Sequence, residues 1–161
     1  MRGVEEMKLR IAKGIKVKKI TFSQAEKMAD KALSKLVRTE KPICEFHTNK
    51  YFGWNLKGPY CVTDWTVKPP CHCSGPLQLC HKISRSKKAT RYDRKNVFSG
   101  CSGSNAWAHY NQVKWDALWK KMWPEDVEEL TLKSRMVCKR STEDLIQMAI
   151  YFDAERKKFG D

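Results

Sequence analysis

A chain of 161 residues with a 41% apolar fraction holds enough material for a buried core, and six tryptophans, six phenylalanines and five tyrosines argue against a disordered chain. The formal charge of +14 implies an acidic partner, either nucleic acid or an acidic protein surface; the plainer reading is a solvated basic face. No apolar run approaches the roughly 18 residues of a membrane span, the N-terminus lacks the apolar core of a signal peptide, and seven cysteines, an odd number, suit reduced thiols better than a disulfide framework.

The expectation is therefore an intracellular protein with one domain over 1–161, flexible over 1–13 and with a basic loop over 82–99. In chain order, Ile15 and Val17 alternate with basic residues and suggest a short strand over 14–20. Ser23 with Glu26 reads as a capping box. Ala25, Met28, Ala29, Ala32, Leu33 and Leu36 follow at helical spacing, which predicts a helix over 23–38 with its apolar stripe in the core. Pro42 stops it. Three short runs rich in β-branched and aromatic residues, over 43–48, 50–56 and 60–67, are punctuated by Gly53, Gly58-Pro59 and Pro69-Pro70 and read as a small strand meander. Cys44 and Cys61 sit in those runs, where a buried thiol is first of all a small hydrophobe.

Cysteine and histidine then concentrate in Cys71-His72-Cys73-Ser74-Gly75-Pro76-Leu77-Gln78-Leu79-Cys80-His81. Gly75-Pro76 supplies a turn between the two ends, and thiolate and imidazole are the donors that tetrahedral Zn²⁺ takes. The expected metal ligands are Cys71, His72, Cys73, Cys80 and His81, with Cys61, Cys101 and His109 in reserve. The next stretch carries Lys82, Arg85, Lys87, Lys88, Arg91, Arg94 and Lys95, seven basic residues in fourteen. It is a candidate phosphate-contacting or nuclear-import segment, with an exposed basic loop as the plain alternative.

Ser104 or Asn105 caps a predicted helix over 106–123 that places Trp107, Trp115, Trp119 and Trp123 on or near one face. A core helix explains that stripe; a partner-binding surface formed by Trp107, Trp115 and Trp119 is the sharper alternative. Pro124 ends or restarts the helix, 130–139 alternates like a strand, and Ser141-Thr142-Glu143-Asp144 looks like a helix start. The segment after it fits helix and strand alike. No phosphate-binding glycine loop or His-Glu-x-x-His helix occurs, and no Cys–His pair is singled out as nucleophile and base, so a binding protein is expected rather than an enzyme.

From about Cys71 to Asp153 the chain resembles the adenovirus early region 4 34 kDa protein family. The resemblance is carried by Cys71-His72-Cys73-Ser74 with Leu77-Gln78 and Cys80, then by Tyr110-Asn111-Gln112, Trp115, Met122, Pro124, Val127, Ser134, Met136 and Tyr151-Phe152-Asp153. It implies zinc held by Cys71, His72, Cys73 and Cys80. It also implies an early viral regulator of the host nucleus, with some cytoplasmic presence. In that family the protein pairs with a larger viral early protein and recruits a host cullin–elongin ubiquitin ligase, so that host proteins are degraded and late viral mRNA export is favoured. The elongin-contacting motif has no clean copy: after Pro76-Leu77 the cysteine comes one position early, at Cys80, and after Thr131-Leu132 two positions late, at Cys138.

The combined expectation is an α+β fold with a short-strand meander, an N-terminal helix, a zinc-stabilised Cys/His loop and a Trp-rich helix. A zinc-stabilised adaptor is the leading function, and a basic, zinc-containing nucleic-acid-binding protein is the alternative.

Overall fold

A computed structural model describes residues 20–42, 44–45 and 77–160. The expected strand over 14–20, nearly all of the strand meander, and Cys61, Cys71, His72 and Cys73 lie outside the described residues. Within them are five α-helices and a two-stranded antiparallel sheet, an α+β architecture. The chain divides into two compact units, one comprising Met1–Leu36 with Lys139–Asp161 and the other Val37–Cys138.

Helix α1 (Phe22–Glu40), which belongs to the first unit up to Leu36, runs one residue further at its start than the spacing predicts. The cap is Thr21, not Ser23. Thr21 Oγ1 accepts the Gln24 N–H at 3.3 Å, and Gln24 Oε1 accepts the Thr21 N–H at 2.9 Å. Both pairs fit the capping-box pattern. The earlier one adds residues to the helix ahead of Ala25, the first of a fully buried series that continues through Ala29, Ala32, Leu33 and Leu36. The unit also holds the C-terminal helix (Thr142–Lys157), labelled α5 below. Ser141 Oγ accepts the Asp144 N–H at 3.1 Å while the Asp144 carboxylate accepts the Ser141 N–H at 2.8 Å. Only Leu145, Ala149 and Phe152 of α5 are buried. That spacing of four and three, with the reciprocal cap, decides for helix where the sequence pattern was ambiguous.

The second unit is built around a hairpin. Strand β1 (Gln78–His81) pairs with β2 (Val97–Gly100), in a register that sets Cys80 opposite Phe98 and His81 opposite Val97. The intervening loop over 82–96 is therefore closed at its base by the hairpin, and the last residues of the expected basic loop are strand. After β2 come α2 (Ser102–Tyr110), α3 (Gln112–Met122), a 3-10 turn (Pro124–Asp126) and α4 (Val127–Ser134). Cys101, rather than Ser104 or Asn105, caps α2, its sulfur accepting the Ser104 N–H at 3.4 Å.

The single helix expected over 106–123 is broken at Asn111. The Asn111 backbone N–H and its side-chain amide both donate to the Trp107 carbonyl, at 2.9 and 3.0 Å, and the Gln112 amide takes the carbonyls of Ala108 and His109. Side-chain amides that satisfy the last carbonyls of a turn compete with helix continuation. The strand expected over 130–139 does not form: residues 130–134 belong to α4 and 135–139 are turn and irregular backbone. Pro124 opens a turn, Glu125, Asp126, Glu128 and Glu129 suit the positive end of a helix, and of the alternating residues Leu130 is fully buried while Leu132 is exposed.

Helix α3 turns Trp115, Leu118, Trp119 and Met122 inward at i, i+3, i+4 and i+7. Phe98 lies between Trp115 and Trp123, with ring centroids at 5.6 and 5.1 Å. Leu130, Ala108 and the thiols of Cys44, Cys80 and Cys101 complete this core. Burying a side chain the size of Phe98 stabilises by about 1.5–3 kcal/mol.

Candidate functional site

The loop over 82–96 is held by one amide. Asn96 is fully buried; its Oδ1 accepts the Ile83 N–H at 2.7 Å, and its Nδ2 donates to the carbonyls of Ile83 and Thr90, each at 3.0 Å. A buried amide with its bonds made substitutes for a backbone ladder across the loop.

Lys82, expected to meet phosphate, is buried instead. Its Nζ lies 2.6 Å from Asp126 Oδ2, with side-chain exposures of 3% and 11%, and 4.3 Å from the Trp123 ring centroid. The Trp115 indole N–H donates to the Lys82 carbonyl at 2.9 Å. Burial lowers the Lys82 pKa, and the bond to Asp126 opposes that shift. Arg94 pairs with Glu40, Lys95 pairs with Glu129, and the Arg91 guanidinium lies 5.5 Å from the Tyr92 ring centroid. The structure thus separates the basic run: Lys82, Arg94 and Lys95 are matched to carboxylates, and Arg85, Lys87 and Lys88 are exposed on the turns between them.

The candidate metal donors separate as well. Neighbouring strand residues face opposite ways. Cys80 is buried in the core, whereas the His81 ring lines a groove, its Nε2 3.2 Å from the Arg91 carbonyl. Cys80 instead shares the core with Cys101 and with Cys44, a residue that no spacing signal marked as a ligand. The Cys101 N–H donates to Cys44 Sγ at 3.2 Å, and Cys101 Sγ lies 3.1 Å from Ser104 Oγ. Burial, then the proximity of Cys101 and Glu45, push the Cys80 thiol up to about 12. Such a thiol becomes a thiolate only when a cation replaces its proton. These thiols have the donor chemistry that Zn²⁺ takes. Among the described residues, however, no three Cys, His, Asp or Glu side chains are arranged to hold a metal ion.

The partner-facing role expected for Trp115 and Trp119 does not match their burial, at 4% and 1% exposure. They fill the core because α3 turns its apolar stripe inward, and Trp107 packs against the same cluster. Among the described residues of this unit, the large apolar side chains that reach solvent are Tyr110, Val113, Leu132, Met136 and Val137. Their exposure had no sequence signal, because it depends on which face of each helix the core takes up.

A groove of about 610 Å³ opens between β1, the start of the loop and α2. Its lining includes His81, Lys82, Arg85, Asn105, His109, Tyr110 and Gln112 and, among the described residues, no carboxylate. Asn105 Nδ2 donates to Gln78 Oε1 at 2.8 Å, tying α2 to β1. No helix among the described residues is long and apolar enough to cross a membrane. No family model matches the chain, and neither a curated protein nor a solved structure matches it.

Proposed function

We propose that this chain is a zinc-stabilised, non-enzymatic adaptor that bridges viral and host proteins in the host nucleus. Following the family it resembles, it promotes ubiquitin-dependent degradation of host proteins and late viral mRNA export, together with a larger viral early protein and a host cullin–elongin ligase. The observation that supports this reading best is where the family-like residues fall. Cys80 on β1 and Trp115 and Met122 on α3 are buried in one core, and Val127 packs against it. Tyr110, Asn111 and Gln112 form the corner between α2 and α3. The buried residues among these build the scaffold, whereas Tyr110, Met136 and Tyr151, which also resemble the family, are exposed. A scaffold of this kind acts through its surface, and Leu132, Met136 and Val137 offer exposed apolar side chains for contact.

Affinity purification of the tagged chain from infected cells is expected to bring down cullin and elongin subunits; a clean negative removes ligase recruitment. Elemental analysis is expected to find one zinc per chain, lost together with folding when Cys71 and Cys73 are both replaced by Ser. A metal-free protein of unchanged stability refutes the zinc.

A further inference from the structure

We infer that the groove between β1 and α2 is a binding site for a single-stranded nucleic-acid segment, with an unpaired base stacked on Tyr110 and its phosphate held by Arg85. Both residues line the same groove, from the last turn of α2 and from the first turn of the loop respectively. This goes beyond the adaptor reading and does not depend on zinc.

Two observations carry it. The first is charge: among the described residues the lining sets the Arg85 guanidinium beside the imidazoles of His81 and His109 and includes no carboxylate, on a chain of net charge +14. An anion beside Arg85 meets no negative side chain among those lining residues, and phosphate contacts supply the sequence-independent part of nucleic-acid affinity. The second is the aromatic platform. Tyr110 is 82% exposed, which is unusual for an aromatic ring, and its ring is braced edge-on by His109 with centroids 5.3 Å apart. A solvent-facing ring is what an unstacked base uses, and only a single strand has such a base to offer. The groove's size is within the roughly 300–1,000 Å³ of sites that enclose a small molecule, so it suits one or two nucleotides rather than a duplex.

An acidic peptide would satisfy Arg85 but leave Tyr110 without a task. Lys82 also lines the groove, but its ammonium is tied to Asp126, while Arg94 and Lys95 are paired with Glu40 and Glu129 and do not line it.

The test is fluorescence anisotropy of the full chain with a short fluorescein-labelled oligouridine, repeated between about 50 and 200 mM salt. Tyr110→Ala is expected to weaken binding about tenfold, whereas Tyr110→Phe, which keeps the ring, retains it. Arg85→Gln is expected to weaken binding and to lower the slope of log affinity against log salt by about one. Lys139→Gln, the same charge change at an exposed position of the other unit, should leave affinity within about twofold. Tyr110 and Arg85 are both exposed, and matching circular dichroism spectra establish that the variants fold. Wild-type affinity in both Tyr110→Ala and Arg85→Gln overturns the site, as does poly-glutamate displacing the oligonucleotide as well as unlabelled oligouridine does.

Discussion

Asp126 is the residue whose loss should reveal the most about this fold. Its carboxylate is 2.6 Å from Lys82 Nζ in a nearly dry setting beneath Trp123. At an effective dielectric of about 20, that distance corresponds to a gross attraction of about 6 kcal/mol. Removing each ion from water costs several kcal/mol, so the intact pair is close to break-even against an apolar replacement. Asp126→Asn breaks that balance by leaving the ammonium buried and unpaired, and should destabilise by about 3–5 kcal/mol. The double replacement Lys82→Met with Asp126→Leu should cost far less than Asp126→Asn alone. Urea unfolding followed by tryptophan fluorescence reads both, since Trp115 and Trp123 contact Lys82 directly.

The sign of the pH dependence follows from the lowered Lys82 pKa. Between the folded-state value and the unfolded 10.5, the unfolded chain holds more protons, so stability rises with pH through that window. Asp126→Asn removes the group that opposes the shift, and the gap to wild type should narrow as pH rises from neutral towards that window. A loss below about 1 kcal/mol for Asp126→Asn, or a double variant as unstable as the single one, would refute the buried-pair account.

Two further outcomes are expected. Thr21→Ala should cost about 1 kcal/mol and Ser23→Ala should be near neutral, measured as thermal unfolding by circular dichroism; the reverse order would return the helix start to Ser23. In native protein at a pH of about 8.5, iodoacetamide should label the half-buried Cys138 well before Cys80, as read by peptide mass spectrometry. The Cys80 thiol keeps its proton to about 12, against 9.0 unperturbed, so the unfolded chain releases that proton first and this group's contribution to stability falls as pH rises above 9. Equal labelling of the two cysteines would contradict the burial of Cys80.

Local pattern carried the helices well. The stripe from Ala25 to Leu36 and the inward set Trp115, Leu118, Trp119 and Met122 were legible, because helical periodicity is a property of adjacent turns. Where two local signals competed, the sequence could not choose between them. Thr21/Gln24 and Ser23/Glu26 both fit a capping box, and the burial of Ala25 favours the earlier start. Asn111 looked like one more helical residue until its amide was seen donating to the Trp107 carbonyl. Alternation over 130–139 imitated a strand because Leu130 meets a core and Leu132 does not.

The sequence by itself determined that this chain is strongly basic and rich in cysteine and aromatic residues, and it showed the helical stripes over 23–38 and 106–123. It also showed where the basic residues cluster. Only the tertiary structure decided what that cluster does. Lys82 finds Asp126 across 44 residues, Arg94 finds Glu40 across 54 and Lys95 finds Glu129 across 34. Partners so far apart in sequence meet only once the hairpin has closed the loop. The same closure turns Cys80 inward and His81 outward and opens a groove beside Tyr110 that Arg85 lines. Charge is a property of composition; which charges remain available to a partner is a property of the fold.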